Sequence, residues 1–262
     1  MKYSFKRTII FFMEKDYGQQ RYLLIDGIRG LAITNMVILH FLYDVHIVYG
    51  KNPAWYSQPH IRIWQQSLSL VFVFIAGFVW QLGKINNFRR GLFFNLCGLA
   101  ISAITLLVTP TEPIWFGVLN FMGCAVLFMI PLHKVMCKVP PIIGMTVSFI
   151  AFVLFKNVHR GYIGIGGIKL LFLSKNLYRI KVLTPFGFPY PGFISYDYFP
   201  MFPWLFLFFA GYFFYFIFER RVLWKKIAYQ KIPMFSRIGQ KTLWIYLLHQ
   251  PISMLACMLL FH

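Results

Sequence analysis

Acidic side chains are scarce in this chain: seven Asp and Glu stand against 26 Lys and Arg, for a formal net charge of +19. Charged residues of both signs make up only 13% of the 262 positions, against 59% hydrophobic and 20% aromatic, which is too apolar for a soluble domain of this length. A basic soluble module and nucleic-acid motifs are both missing. The cations sit instead at the ends of apolar runs, which argues against nucleic acid and marks them as topology signals and contacts for anionic lipid. The four cysteines, Cys97, Cys124, Cys137 and Cys257, are scattered singly. They show neither metal-ligand spacing nor a disulfide framework, so packing is their expected role and no metal is expected. The N-terminal IIFFM run is too short for a signal-peptide core, and Glu14, Lys15 and Asp16 follow it; it reads as a short interfacial segment.

What the chain does have is long apolar runs. Seven are of bilayer-crossing length, near 24–48, 65–83, 91–109, 115–133, 140–156, 200–218 and 242–261. The expectation is an all-α polytopic helix bundle in one domain over 1–262, without internal repeats. Lys and Arg crowd before the first span and between spans two and three, four and five, and six and seven. These segments share one side if there are seven spans. That predicts residues 1–21 and the N-terminus in the cytoplasm and the C-terminus outside. The segment 157–199 does not follow the rule, since Arg160, Lys169, Lys175, Arg179 and Lys181 fall on the external side. Its Gly-rich GYIGIGGIKLLFL is expected to be external or partly re-entrant.

The first span carries Asp26, Arg29, His40 and Asp44, residues that hydrocarbon excludes. At about 100° per residue they project within roughly 60° of one another, so one helix face is ionisable. Such a stripe must face the bundle interior or a wet cavity, either as buried glue or as a site. A His one turn before an Asp is also what a proton-transfer site needs. At about 1.5 Å per residue, Asp26 and Arg29 lie near the cytoplasmic face and His40 roughly 25 Å beyond Leu23.

Asp44, Glu112 and Asp197 are the acids expected near the outer face, which suggests an external site with His40 and Asp44 at its floor and Asp197 at its rim. Glu112, between Pro110 and Pro113, also suits plain turn chemistry. The last span brings a second intramembrane His, His249, followed by Gln250 and Pro251, where a kink is expected. SYDYFPMFPW, from Ser195 to Trp204, combines Asp197 with aromatic residues suited to an interfacial belt or to holding sugars.

These stretches carry a family resemblance. RYLLIDGIRGLAITNMVILH in the first span, FVFIAG at 72–77, IWFGVLNFMG at 114–123, DYFPMFPWLFLFFAGYF at 197–213 and IGQKTLWIYLLHQP at 238–251 together resemble the heparan-alpha-glucosaminide N-acetyltransferase catalytic-domain family, in a compact bacterial form. The resemblance implies a multi-pass protein of the bacterial plasma membrane. Its expected activity is transfer of an acyl group, acetyl above all, from cytosolic acyl-CoA to an extracytoplasmic sugar or glycolipid. It further implies Arg29, Asp26 and Asn120 on the donor, with Arg29 meeting CoA phosphates. His40 would be general base or transient acyl carrier, Asp44 would orient its imidazole and His249 would help place the thioester. Asp197 and Trp204 are the expected acceptor contacts, and a homodimer stays open. The chain departs from the family pattern at Asn120, where many bacterial relatives carry His. The animal lysosomal enzymes place Asn at the position of His40 and keep a catalytic His where this chain has Lys51. Two other classes compete: a proton-coupled solute carrier using His40, His249 and Asp44, and a non-catalytic partner of an envelope assembly.

Overall fold

The computed structural model describes residues 22–261 apart from Glu112. The N-terminal segment 1–21, Glu112 and His262 lie outside the described residues. The described chain is a helical bundle, and seven of its helices are long and apolar enough to cross a membrane. They cover 23–48, 59–79, 84–108, 118–136, 141–160, 201–219 and 242–261.

The helix starts follow from local chemistry. Helix α1 (Leu23–Tyr43) runs into a π-helical turn, Asp44–Val48, closed by the Tyr49 N–H donating to the Asp44 carbonyl at 2.9 Å. Helix α2 (Pro53–Tyr56) opens on Asn52, whose side-chain oxygen accepts from the Trp55 N–H at 3.1 Å. Proline, preset for a first turn and needing no donor there, begins α3 (Pro59–Val79), α6 (Pro141–Phe155) and α9 (Pro233–Gln240). Helix α3 therefore starts six residues earlier than hydropathy placed the second span. The others are α4 (Asn87–Val108), α5 (Val118–Met136), α7 (Met201–Glu219), α8 (Val222–Ala228) and α10 (Thr242–Phe261). Between α6 and α7 the Gly-rich stretch forms the antiparallel hairpin β1 (Tyr162–Ile165) and β2 (Ile168–Phe172), with a bulge at Ile163/Gly164.

Contacts divide the chain into two compact units. In the unit Ala76–Ile217, α4 and α5 pack through small residues. A Cβ on Gly98 would stand 2.5 Å from the Asn120 side chain, and one on Gly123 2.3 Å from that of Asn95. Gly77 touches α7 so closely that a Cβ would lie 1.9 Å from the Phe208 carbonyl oxygen. Helix α7 is the most enclosed of the seven spans.

The other unit joins residues 22–75 to 218–261. Here α1 lies against α9 and α10. A Cβ on Gly30 would stand 1.9 Å from the Phe235 carbonyl oxygen, and one on Gly239 1.7 Å from that of Asp26. The backbones of α1 and α9 thus touch, which only glycine permits. Ser236 Oγ fastens the crossing by donating to the Leu23 carbonyl at 2.9 Å. Tyr22, at the entry to α1, donates to Glu219 Oε1 at 2.9 Å.

Gly30→Val should push α1 off α9 and lower stability by about 2–3 kcal/mol. Thermal unfolding of the detergent-solubilised protein reads this, and an unchanged midpoint would contradict the contact.

Candidate functional site

The ionisable stripe of α1 holds two separate groups. At the start of the helix Asp26 is buried, and Arg29, partly exposed one turn on, places Nη1 3.8 Å from Asp26 Oδ1. Near the end of the helix the stripe meets α10. His40 and His249 stand edge to face, ring centroids 4.7 Å apart at 73°.

Asp44 is completely buried. Gln250 Nε2 donates to its Oδ1 at 2.8 Å and Ser253 Oγ donates to its Oδ2. The carboxylate therefore takes its hydrogen bonds from α10 and not from the His40 imidazole, which the sequence reading had it orient. The cause is local: the π turn begins at Asp44 and directs it at the α10 face carrying residues 249, 250 and 253.

His249 is fixed by its own helix. Its Nδ1 lies 2.5 Å from the Tyr246 carbonyl oxygen. A carbonyl can only accept, so Nδ1 carries the proton and, in the neutral ring, Nε2 is left as the basic nitrogen. The orientation is thus set by the backbone of α10, which stays helical through Pro251.

Above the pair, α2 brings Tyr56, whose hydroxyl donates to the Leu39 carbonyl at 3.4 Å. Burial first and the Asp44 charge second hold this phenol above its usual range, so it remains a neutral donor. His46, on the π turn, lies 4.8 Å from the Trp55 ring, and Lys51 Nζ sits 4.8 Å over the Phe261 ring.

The remaining predicted residues belong to the unit Ala76–Ile217. Asn120, on α5, faces Gly98 of α4, and its buried Oδ1 has no hydrogen-bond partner among the described residues. Asp197 Oδ2 accepts from the Val118 N–H at 3.3 Å and so caps the start of α5. Trp204 stacks on Phe199 at 4.3 Å. Among the described residues no group of three or more His, Cys, Asp or Glu side chains is placed to hold a metal ion.

The heparan-alpha-glucosaminide N-acetyltransferase catalytic family model matches residues 21–251, the stretch from the start of α1 to Pro251 beside the site. The chain belongs to that family. Neither curated proteins nor solved structures match it. Membership carries a transferase activity, that of a membrane acetyltransferase, and agrees with the seven spans of an integral membrane protein.

In this family member several site residues escape a sequence reading. Gln250 and Ser253 look like ordinary polar residues of an apolar helix. Their offsets of one and four from His249 were the available signal, since all three fall on one α10 face. His133 also has no sequence signal for its partner: its Nδ1 lies 2.7 Å from the hydroxyl of the fully buried Tyr212, with Trp80 alongside at 5.2 Å between ring centroids. That group sits in the other unit and satisfies a buried phenol.

Gln250→Leu removes one of the two donors that hold a buried carboxylate. It should lower stability by about 1.5–3 kcal/mol, read from the unfolding midpoint in detergent, whereas a shift near zero would mean that the bond carries no weight.

Proposed function

We propose that the protein transfers the acetyl group of acetyl-CoA, taken from the cytoplasmic side, to a hydroxyl or amino group of an extracytoplasmic sugar or glycolipid, with His40 as general base. The observation that supports this best is the His40/His249 pair set beside the buried Asp44 near the far end of the α1 stripe.

His40 takes the proton of the acceptor O–H or N–H as the oxygen or nitrogen attacks the thioester carbonyl. The tetrahedral adduct then collapses, the carbon–sulfur bond breaks and the CoA thiolate recovers the proton from the imidazolium. Atoms balance without a covalent enzyme intermediate. The imidazolium formed in this step stands beside the buried Asp44 carboxylate, whose charge offsets it, and the second imidazole this close stays neutral. His249, the other imidazole of the pair, would steady the thioester.

Arg29 is the candidate contact for CoA phosphates. About 17 Å of helix separates it from His40, so the donor must span that length in an extended form. Asn120, with a buried oxygen to offer, is the second candidate on the donor. Asp197 and Trp204 would serve the acceptor through the loop they brace, since one caps α5 and the other stacks on Phe199.

Membranes containing the full chain, given radiolabelled acetyl-CoA and candidate envelope glycans, test the reading. Wild type should label an acceptor and His40→Ala should do so about 10²–10⁴-fold more slowly at unchanged protein level. Equal labelling by both would remove His40 from the chemistry. Absence of transfer to every sugar or lipid acceptor would overturn the acetyltransferase reading itself.

A further inference from the structure

The hairpin between α6 and α7 is exposed in a way that water does not favour. Every residue of β2 is exposed, with Ile168 at 68%, Leu170 at 64%, Leu171 at 56% and Phe172 at 71%. In the turns that follow, Ile180, Val182 and Ile194 are also exposed. An apolar patch of this kind outside a membrane span marks a partner surface or an aggregation hazard.

Three observations say what covers it. The hairpin begins at Tyr162, two residues beyond the span that ends at Arg160, so it starts at the membrane surface. Across residues 157–199 the chain carries five cations, Arg160, Lys169, Lys175, Arg179 and Lys181, against the one acid Asp197. Among the described residues the sheet has two strands, so the outer edge of β2 keeps backbone donors and acceptors that hydrocarbon would leave unsatisfied. Apolar side chains, cations and an unpaired backbone edge are satisfied together at the boundary between headgroups and acyl chains.

The base of the segment is stiff enough to hold such a position. The Asn157 side chain donates to the Gly164 carbonyl at 3.1 Å, and the Tyr178 hydroxyl donates to the Val158 carbonyl. Burial holds the Tyr178 phenol above its usual range, which keeps it a donor.

We infer that the β1–β2 hairpin is a membrane-surface anchor: Ile168, Leu170, Leu171 and Phe172 enter the acyl boundary of the leaflet where it emerges, and Lys169, Lys175, Arg179 and Lys181 meet anionic headgroups. Those headgroups also account for a basic segment that breaks the charge bias of the other loops. The anchor stands apart from the acetyl-transfer chemistry and does not depend on it.

The test uses the full chain in vesicles of phosphatidylcholine alone or mixed with phosphatidylglycerol. A fluorophore is attached at Leu170→Cys or, as a second variant, Phe172→Cys, with the exposed Cys137 replaced by Ser. Brominated lipid should quench either label several-fold more than aqueous iodide does, and phosphatidylglycerol should deepen that quenching. Replacing Lys169, Arg179 and Lys181 with Gln should weaken the anionic-lipid gain by up to about fivefold per cation. A label quenched freely by iodide in both vesicle types overturns the anchor. A label shielded from iodide yet untouched by brominated lipid also overturns it, because a protein or a second copy would then be the cover.

Discussion

Asp44 is a carboxylate with no exposed surface on a helix that crosses the membrane, and its position constrains everything near it. Burying such a charge without partners costs several kcal/mol at least. The Gln250 amide and the Ser253 hydroxyl supply the compensation, and both come from α10. Sliding or turning α10 against α1 would strand the carboxylate, so this contact fixes the register in which His40 meets His249. The imidazoles face each other because the carboxylate beside them must be satisfied.

That register also relies on bare backbone contact lower in the same unit. Gly30 and Gly239 let α1 and α9 touch, and α9 leads through Lys241 into α10. Lipid offers no hydrophobic force to drive helices together, so close packing and a few hydrogen bonds must do it. The Ser236 bond to the Leu23 carbonyl and the Tyr22 bond to Glu219 are of this kind. The polar end of α1 and its small-residue end thus serve one purpose, holding α10 at a fixed angle and height.

Much of this was legible in the sequence, for a physical reason. Hydrocarbon tolerates few charges, so the spans and the stripe of Asp26, Arg29, His40 and Asp44 stand out from periodicity alone. His249 stood out for the same reason. What a side chain pairs with is a different matter. Periodicity reports the face a residue occupies and says nothing about the element opposite. Asp44 was therefore read as the partner of its neighbour His40, when its hydrogen-bond donors sit on α10. The π turn that aims it there has no distinct signal in DVHIV. Asp197 stands out in the sequence as one of few acids, but its hydrogen bond to the start of α5 has no local signal, because its partner Val118 lies 79 residues away. The stretch GYIGIGGIKLLFL reads as external or partly re-entrant, and the hairpin it forms is not legible in that reading: its glycines make a bulge and a turn, and the chain pairs as strands.

The claim most exposed to test is that Asp44 and Ser253 act as one unit across two helices. A double-mutant cycle with Asp44→Asn and Ser253→Ala, read as unfolding free energy of the full chain in bicelles, measures this directly. The account predicts non-additive losses with a coupling of about 0.5–3 kcal/mol. Losses that add to within about 0.5 kcal/mol would show the two side chains to be independent, and the register of the histidine pair would need another cause.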